Sequence, residues 1–398
     1  MSTAVPVTTG GARVGDRIGD RLLSLDAFRG FAIASMLLVN NPGDWSALYG
    51  PLEHAAWHGW TFTDWIFPFF VFISGISMSF SLARRGRSVD GHTDRLALLR
   101  HTWRRGATII LIGVLLNLFP LFHFESVRLP GVLQRLGLIT ILAAPIALWC
   151  GWRAQLAWFV ALLAGYGLVQ TLVAVPDAQG VWHRGSLAPG EDVGAWLDRT
   201  LLSGHLWAKS KTWDPEGLLS TLPAVASQIA GLLAGRWLAL RGRDPAEKAM
   251  WFMVAGLLAL WAAQVLDAWT LPINKNLWTP AFVFLTTGWG CLVFGVFYWL
   301  LDAAPLPRLR AAMARRFQPL VVFGMNALFL FALSGLVARL LGLIHVAEGV
   351  SLKAWLVAPL RALPVDPRFA SLLFAAGFVA VFYGIAWAMW RRGWIVKV

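Results

Sequence analysis

Ten separate apolar runs recur along the chain, each close to the length that crosses a bilayer, and that recurrence leaves few folds open. A hydrocarbon core of about 30 Å needs roughly 20 apolar residues in a helix. Inside lipid the backbone must be satisfied within each segment, so runs of this length predict helices and not open strands. They fall at 22–41, 62–82, 105–122, 132–150, 154–175, 218–240, 250–270, 278–301, 317–341 and 369–390. The expected fold is all-α, a polytopic integral membrane bundle of about ten transmembrane helices. The stretch 351–363 is apolar but short and holds Lys353 and Arg361, so it is read as interfacial.

Composition agrees. The chain is 58% hydrophobic and 14% charged, against about 45–50% and about 25% for soluble domains. Its 23 Trp and 25 Phe exceed what one water-soluble core needs, and suit lipid-facing helices with interfacial aromatic belts.

Formal net charge is +13, which in a soluble chain would suggest nucleic acid. Here the charge is distributed by side. With the N-terminus inside, 22 Lys and Arg fall on inner segments and 9 on outer ones. That bias orients a membrane protein with both termini in the cytoplasm, and no nucleic-acid partner is expected. Residues 1–20 are polar and Gly-rich, and are read as a disordered cytoplasmic tail. Residues 21–398 form the membrane domain, with outer loops at 42–61 and 176–217. The longer loop is read as an irregular cap. The first apolar run contains Asp26 and Arg29 and no small-residue cleavage site follows it, so it is read as an uncleaved span. Cys150 and Cys291 lie in apolar runs without metal-ligand spacing, and no metal is expected.

The dense polar clusters gather on the outer surface by topology alone. Asn40 and Asn41 end the first span. His54 and His58 follow in the loop, and Asp64 opens the second span. Arg128, Gln134 and Arg135 surround the start of the fourth. Asp214 and Glu216 precede the sixth, and Asn274 and Lys275 precede the eighth. Each has a plainer explanation. Asp64 suits a helix cap, and Asp26 and Arg29 can pair locally. Asn326 can bridge helices. Arg135, an intramembrane charge, is a functional candidate by default. Convergence raises the set above these readings. A histidine near an amide and a carboxylate suits general-base work or acyl transfer through the ring, with Asn40 as oxyanion donor or orienter. The spacing does not choose among these roles.

Several motifs occur in a familiar order. Leu25-Asp26-Ala27-Phe28-Arg29-Gly30 follows Arg21 and Ser24. His54-Ala55, Trp57, Gly59, Thr63-Asp64 and Phe67-Pro68-Phe69-Phe70 come next. Val127-Arg128-Leu129-Pro130-Gly131-Val132-Leu133-Gln134-Arg135, Asp214-Pro215-Glu216-Gly217, Pro272-Ile273-Asn274-Lys275-Asn276-Leu277-Trp278 and Gly324-Met325-Asn326 complete the series. Over roughly residues 21–392 the chain resembles the heparan-α-glucosaminide N-acetyltransferase family of transmembrane acetyltransferases, which has many bacterial relatives. The resemblance implies a protein of the bacterial inner membrane. It implies acetyl transfer from cytoplasmic acetyl-CoA to the amine of a glucosamine-type amino sugar outside. The family's active-site histidine falls on His54 and its nearby asparagine on Asn40. A homodimer is the assembly it suggests.

On this reading Asp64, Arg128, Gln134, Arg135, Asp214, Glu216, Asn274 and Lys275 are the candidate substrate-binding residues. Arg29, Arg104 and Arg105 are candidates for the phosphates of acetyl-CoA. Two other functions remain open: O-acylation of an envelope polysaccharide or lipid-linked sugar, and sugar transport or flipping without chemistry.

Overall fold

A computed structural model describes residues 22–85 and 94–396. The expected tail at 1–20 lies outside them. Within them are fourteen α-helices and two small antiparallel hairpins. The long helices alternate in direction. One face of the bundle, here called upper, carries the connections after α1 (Leu23–Asn40), α3 (Arg95–Leu118), α5 (Trp152–Leu172), α8 (Pro245–Trp269) and α12 (Ala327–Leu343). The lower face carries those after α2 (Phe62–Arg85), α4 (Val132–Trp149), α7 (Thr221–Ala239) and α9 (Pro280–Tyr298), and the end of α14 (Pro367–Arg391).

Seven of these helices are long and apolar enough to cross a membrane: α1, α2, α4, α5, α8, α9 with its π-turn to Ala303, and α14. The chain is thus a multi-pass helical membrane protein. The expected spans 105–122 and 218–240 are also helical, as α3 and α7. They are less apolar for different reasons. The lower half of α3 carries Arg100, Arg104 and Arg105, whereas most of α7 is buried among its neighbours.

The expected span 317–341 is not one straight helix. It divides into α11 (Gln318–Met325) and α12, which meet at 79°. Just before the bend α11 crosses α1 closely. A Cβ on Gly324 would stand 1.8 Å from the Asp26 carbonyl oxygen, and one on Gly30 would stand 1.7 Å from that of Leu320. Two backbones meet through paired glycines, as small residues allow inside membranes. Gly75 and Ser79 of α2 meet Gly231 and Gly235 of α7 in the same manner.

The stretch 351–363 forms α13 (Leu352–Arg361), ten residues long and too short to span. The 176–217 connection is more regular than an irregular cap. It holds a hairpin, Ala174–Pro176 with Trp182–Arg184, and a helix, α6 (Val193–Leu201), capped by Asp192. Arg199 fastens this cap through the carbonyls of Pro176, Gly190 and Thr212.

Candidate active site

The loop before α2 is shaped around a single carboxylate. Asp64 lies in the first turn of α2, where the sequence allowed a simple cap. Its side chain instead bonds backward. Oδ2 accepts the backbone N–H groups of Ala55 (3.1 Å) and Thr61 (2.9 Å), and the Thr61 hydroxyl. Oδ1 lies 2.7 Å from His54 Nδ1. Asp64 is almost wholly buried, while His54 is 52% exposed, so the rigid partner holds the accessible one.

An ionised Asp64 favours the tautomer with the proton on Nδ1, which puts the ring's lone pair on Nε2. Lys275 completes the cluster. Its Nζ stands 2.9 Å from His54 Nδ1, 3.3 Å from Nε2 and 3.4 Å from Asp64 Oδ1. Burial lowers the Lys275 pKa below the ordinary lysine value, and the Asp64 carboxylate works against that shift.

Two loops far apart in sequence therefore make one site, and the backbone sews them together. Gly59 N–H donates to the Ile273 carbonyl (2.8 Å) from φ +90°, a conformation that favours glycine. Ile273 N–H donates to Asp267 (2.6 Å). Asn274 is fully buried and accepts from Leu277 N–H (2.9 Å), so it builds the turn that presents Lys275. Its amide also lies 3.4 Å from His58 Nδ1.

Arg128, Asp214 and Glu216 come together beside this cluster, but on one another. The guanidinium is bidentate to Asp214 (2.8 and 2.6 Å) and reaches Glu216 at 2.5 Å. Burial opposes its charge, yet the two acids hold the Arg128 pKa above the ordinary arginine value. Arg135, completely enclosed, donates to the Gly217 carbonyl (3.0 Å) and to Ser220, and lies 5.2 Å above the Trp278 ring. Its Nε and Nη1 have no acceptor among the described residues, nor does Gln134 Nε2. The arginines and acids thus frame the site wall and tie α4 to the start of α7.

Asn40 is not joined to His54 by a hydrogen bond among the described residues. It ends α1 and lines a separate cavity with Arg339 and Lys353.

Of the three candidate phosphate-binding arginines, two meet. Arg29 and Arg105 line a lower-face cavity of about 410 Å³ together with His101 and the hydroxyl residues Ser74, Ser77 and Ser81. Arg29 is paired with Asp26 at 2.7 Å and donates to Ser77 at 2.9 Å. Arg104 is exposed and is not among the lining residues. The serines escaped sequence reading, although their spacing of three and four puts them on one face of an otherwise apolar helix. The cavity also runs past Gly324–Leu328, where α11 breaks into α12, and up α2 to Phe70. Six residues separate Phe70 from Asp64, about 9 Å of helix rise.

The catalytic-region model of the heparan-α-glucosaminide N-acetyltransferase family matches residues 21–186, which include α1, the His54 loop and α2 to α5. The human heparan-α-glucosaminide N-acetyltransferase is 30% identical in an alignment covering 72% of this chain and 50% of that protein. The mouse protein of the same name is 27% identical with the same coverage. The chain spans about half the length of the curated relatives it matches. Its motifs, its helices and these similarities agree: over residues 21–186 the chain matches the catalytic region of the heparan-α-glucosaminide N-acetyltransferase family.

Proposed function

We propose that this chain is a transmembrane N-acetyltransferase that moves an acetyl group from acetyl-CoA to the amine of a glucosamine-type amino sugar. The observation that carries the reading is the His54–Asp64–Lys275 cluster on the upper face. A buried carboxylate fixes an exposed imidazole so that Nε2 keeps its lone pair. The adjacent ammonium is placed to steady the negative charge that develops on the acetyl oxygen.

In the direct route the amine attacks the thioester carbonyl while Nε2 takes its proton. The C–N bond forms, the C–S bond breaks, and the CoA sulfur leaves as a thiolate that is then protonated. In the two-step route Nε2 attacks the thioester, the C–S bond breaks and CoA leaves as a thiolate. The amine then attacks the acetyl-imidazole, the C–N bond forms as the bond to Nε2 breaks, and the freed imidazole takes the amine proton. The resemblance that puts the family's active-site histidine on His54 favours this residue under both routes.

The lower cavity is the proposed donor entrance. Arg29 and Arg105 supply positive charge suited to the phosphates of CoA, and His101 and the serine hydroxyls of α2 supply polar groups along the way. The excess of Lys and Arg on lower connections supports a cytoplasmic lower face with both termini inside, and the resemblance favours a bacterial inner membrane. Acceptor and donor would then reach the cluster from opposite sides.

The test is an acetyl-CoA assay on purified protein in detergent. Glucosamine, a muramic-type sugar and a hydroxyl-only sugar are offered beside His54→Ala. Transfer to the amines, none to the hydroxyl control and none by the variant are expected. Near-normal transfer by His54→Ala would remove the assignment. Acetyl label trapped on the enzyme without acceptor selects the two-step route.

A further inference from the structure

Arg339 and Lys353 face one cavity on the upper side of the bundle, and among the described residues no carboxylate lies within ion-pair distance of either. Arg339 sits in α12, within an apolar run. Among the described residues its side chain makes one hydrogen bond, from Nη1 to the Gly335 carbonyl a turn earlier, at 3.0 Å. Lys353 opens α13, with Nζ 5.9 Å from the centre of the Phe374 ring. Asp44 acts on Lys353 through space, but its own ion pair is with Arg361, at 2.5 Å.

The cavity holds about 380 Å³ between the end of α1, α12, α13 and α14. Its polar lining includes the amides of Asn40 and Asn41 and the hydroxyl of Ser334. Its apolar lining includes Phe331, Leu341 and Phe378. Burial lowers the pKa of Lys353, so the cavity withholds solvent from the charge without supplying a counter-ion.

Two cations sharing a partly enclosed space repel each other, and an intramembrane arginine is retained where it meets an anion. A guanidinium beside an ammonium suits a phosphate: the planar fork takes two oxygens and the ammonium acts as a point charge. Amide and hydroxyl groups add neutral donors. The aliphatic and aromatic walls suit a hydrocarbon chain attached to that phosphate.

We propose that this cavity is an anion site for a phosphate group, separate from the His54 cluster, and that the phosphate it takes is carried on a lipid. The proposal does not depend on the acetyl-transfer reading, and its test requires no activity.

The experiment measures thermal unfolding of the purified protein in detergent with added phosphatidylglycerol, phosphatidylcholine or inorganic phosphate. Phosphatidylglycerol should raise Tm and phosphatidylcholine should not. Arg339→Gln/Lys353→Gln should need on the order of tenfold more lipid for the same rise. Arg339→Lys keeps the charge but loses the fork, so its lipid requirement should fall between those of the parent and the double variant. Arg391→Gln/Arg392→Gln, which removes two exposed cations at the other face, should respond fully.

A rise with inorganic phosphate alone supports the anion site but assigns it to a free ion. No rise with any of the three overturns the proposal, as does an unchanged response in the Arg339/Lys353 variant or an equal loss in the Arg391/Arg392 variant. Native mass spectrometry of the unmodified protein adds an arm that needs no variant to fold. Retention of phosphatidylglycerol over phosphatidylcholine is expected, and equal retention of the two counts against the site.

Discussion

Lys275 Nζ and His54 Nδ1 stand 2.9 Å apart although 221 positions separate them in the chain. The same ammonium is 3.4 Å from Asp64, so a cation and an imidazole share one carboxylate. Lys275 is only 17% exposed. Water therefore screens this trio weakly, and each member's charge state bears on the others.

Asp64 is predicted to position His54 and not to touch the acceptor. Asp64→Asn would keep the volume, but its one amide oxygen would be held by the Ala55 and Thr61 N–H groups, which leaves an NH2 donor facing Nδ1–H. On the proposed mechanism kcat falls on the order of 10²–10⁴-fold, with little change in KM for acetyl-CoA. Steady-state kinetics beside His54→Ala decide it. A rise in KM for the amino sugar with kcat unchanged would return Asp64 to substrate binding.

Helices were more legible in the sequence than contacts. All ten expected spans coincide with helical segments because run length and hydropathy are local properties. The bend at Met325–Asn326 was not legible. The run 317–341 stays apolar across it, and the close crossing beside it sets Gly324 against Asp26, nearly three hundred residues away. The candidate residues on the upper face were legible as a set through topology. Their pairing was not. Asp64 and Lys275 were expected at the substrate but flank His54, and Asp214 and Glu216 are occupied by Arg128. Each pairing depends on how loops fold over the bundle, which period and composition do not encode.

Arg128 is predicted to matter more for stability than for turnover. Asp214 has no side-chain exposure, so Arg128→Ala would strand one buried carboxylate and expose another. Removing one partner of such a pair costs about 3–5 kcal/mol. Arg128→Lys should recover little, because an ammonium cannot make the bidentate bond. Thermal unfolding in detergent measures both variants. A Lys variant as stable as the parent would show that charge alone suffices.

Asp198 predicts a pH-dependent stability of the upper cap. Burial raises its pKa from 3.8 to about 7, against the Leu218 N–H bond and with the Asp214 charge adding to the rise. The folded protein therefore keeps a proton that the unfolded chain releases above about pH 4. Its stabilising effect is full below the unfolded pKa and is lost as pH rises through the folded value of about 7. The slope is at most about 1.4 kcal/mol per pH unit for one proton. Asp198→Asn should flatten this part of the profile. Parallel Tm curves for parent and variant between pH 4.5 and about 7.5 would exclude Asp198 as the source.

Asn326 predicts a link between the chain's final residues and the lower cavity. Its Nδ2 donates to the Trp394 carbonyl at 3.0 Å, and Val396 N–H donates to its Oδ1 at 2.9 Å. One side-chain amide thus holds the backbone on both sides of Ile395, which lines the cavity with Arg29 and Arg105. Asn326→Leu removes both bonds and leaves a buried position without its polar partners, a loss of about 1–3 kcal/mol. Asn326→Asp keeps the acceptor and loses the donor. Amide exchange at Val396 should quicken on the order of tenfold in the Leu variant and less in the Asp variant. If the lower cavity admits the acetyl donor, KM for acetyl-CoA rises in the Leu variant while kcat holds, because His54 lies on the opposite face. Unchanged exchange at Val396 would mean that the amide does not hold the segment. A fall in kcat at constant KM would instead connect Asn326 to the chemistry at His54.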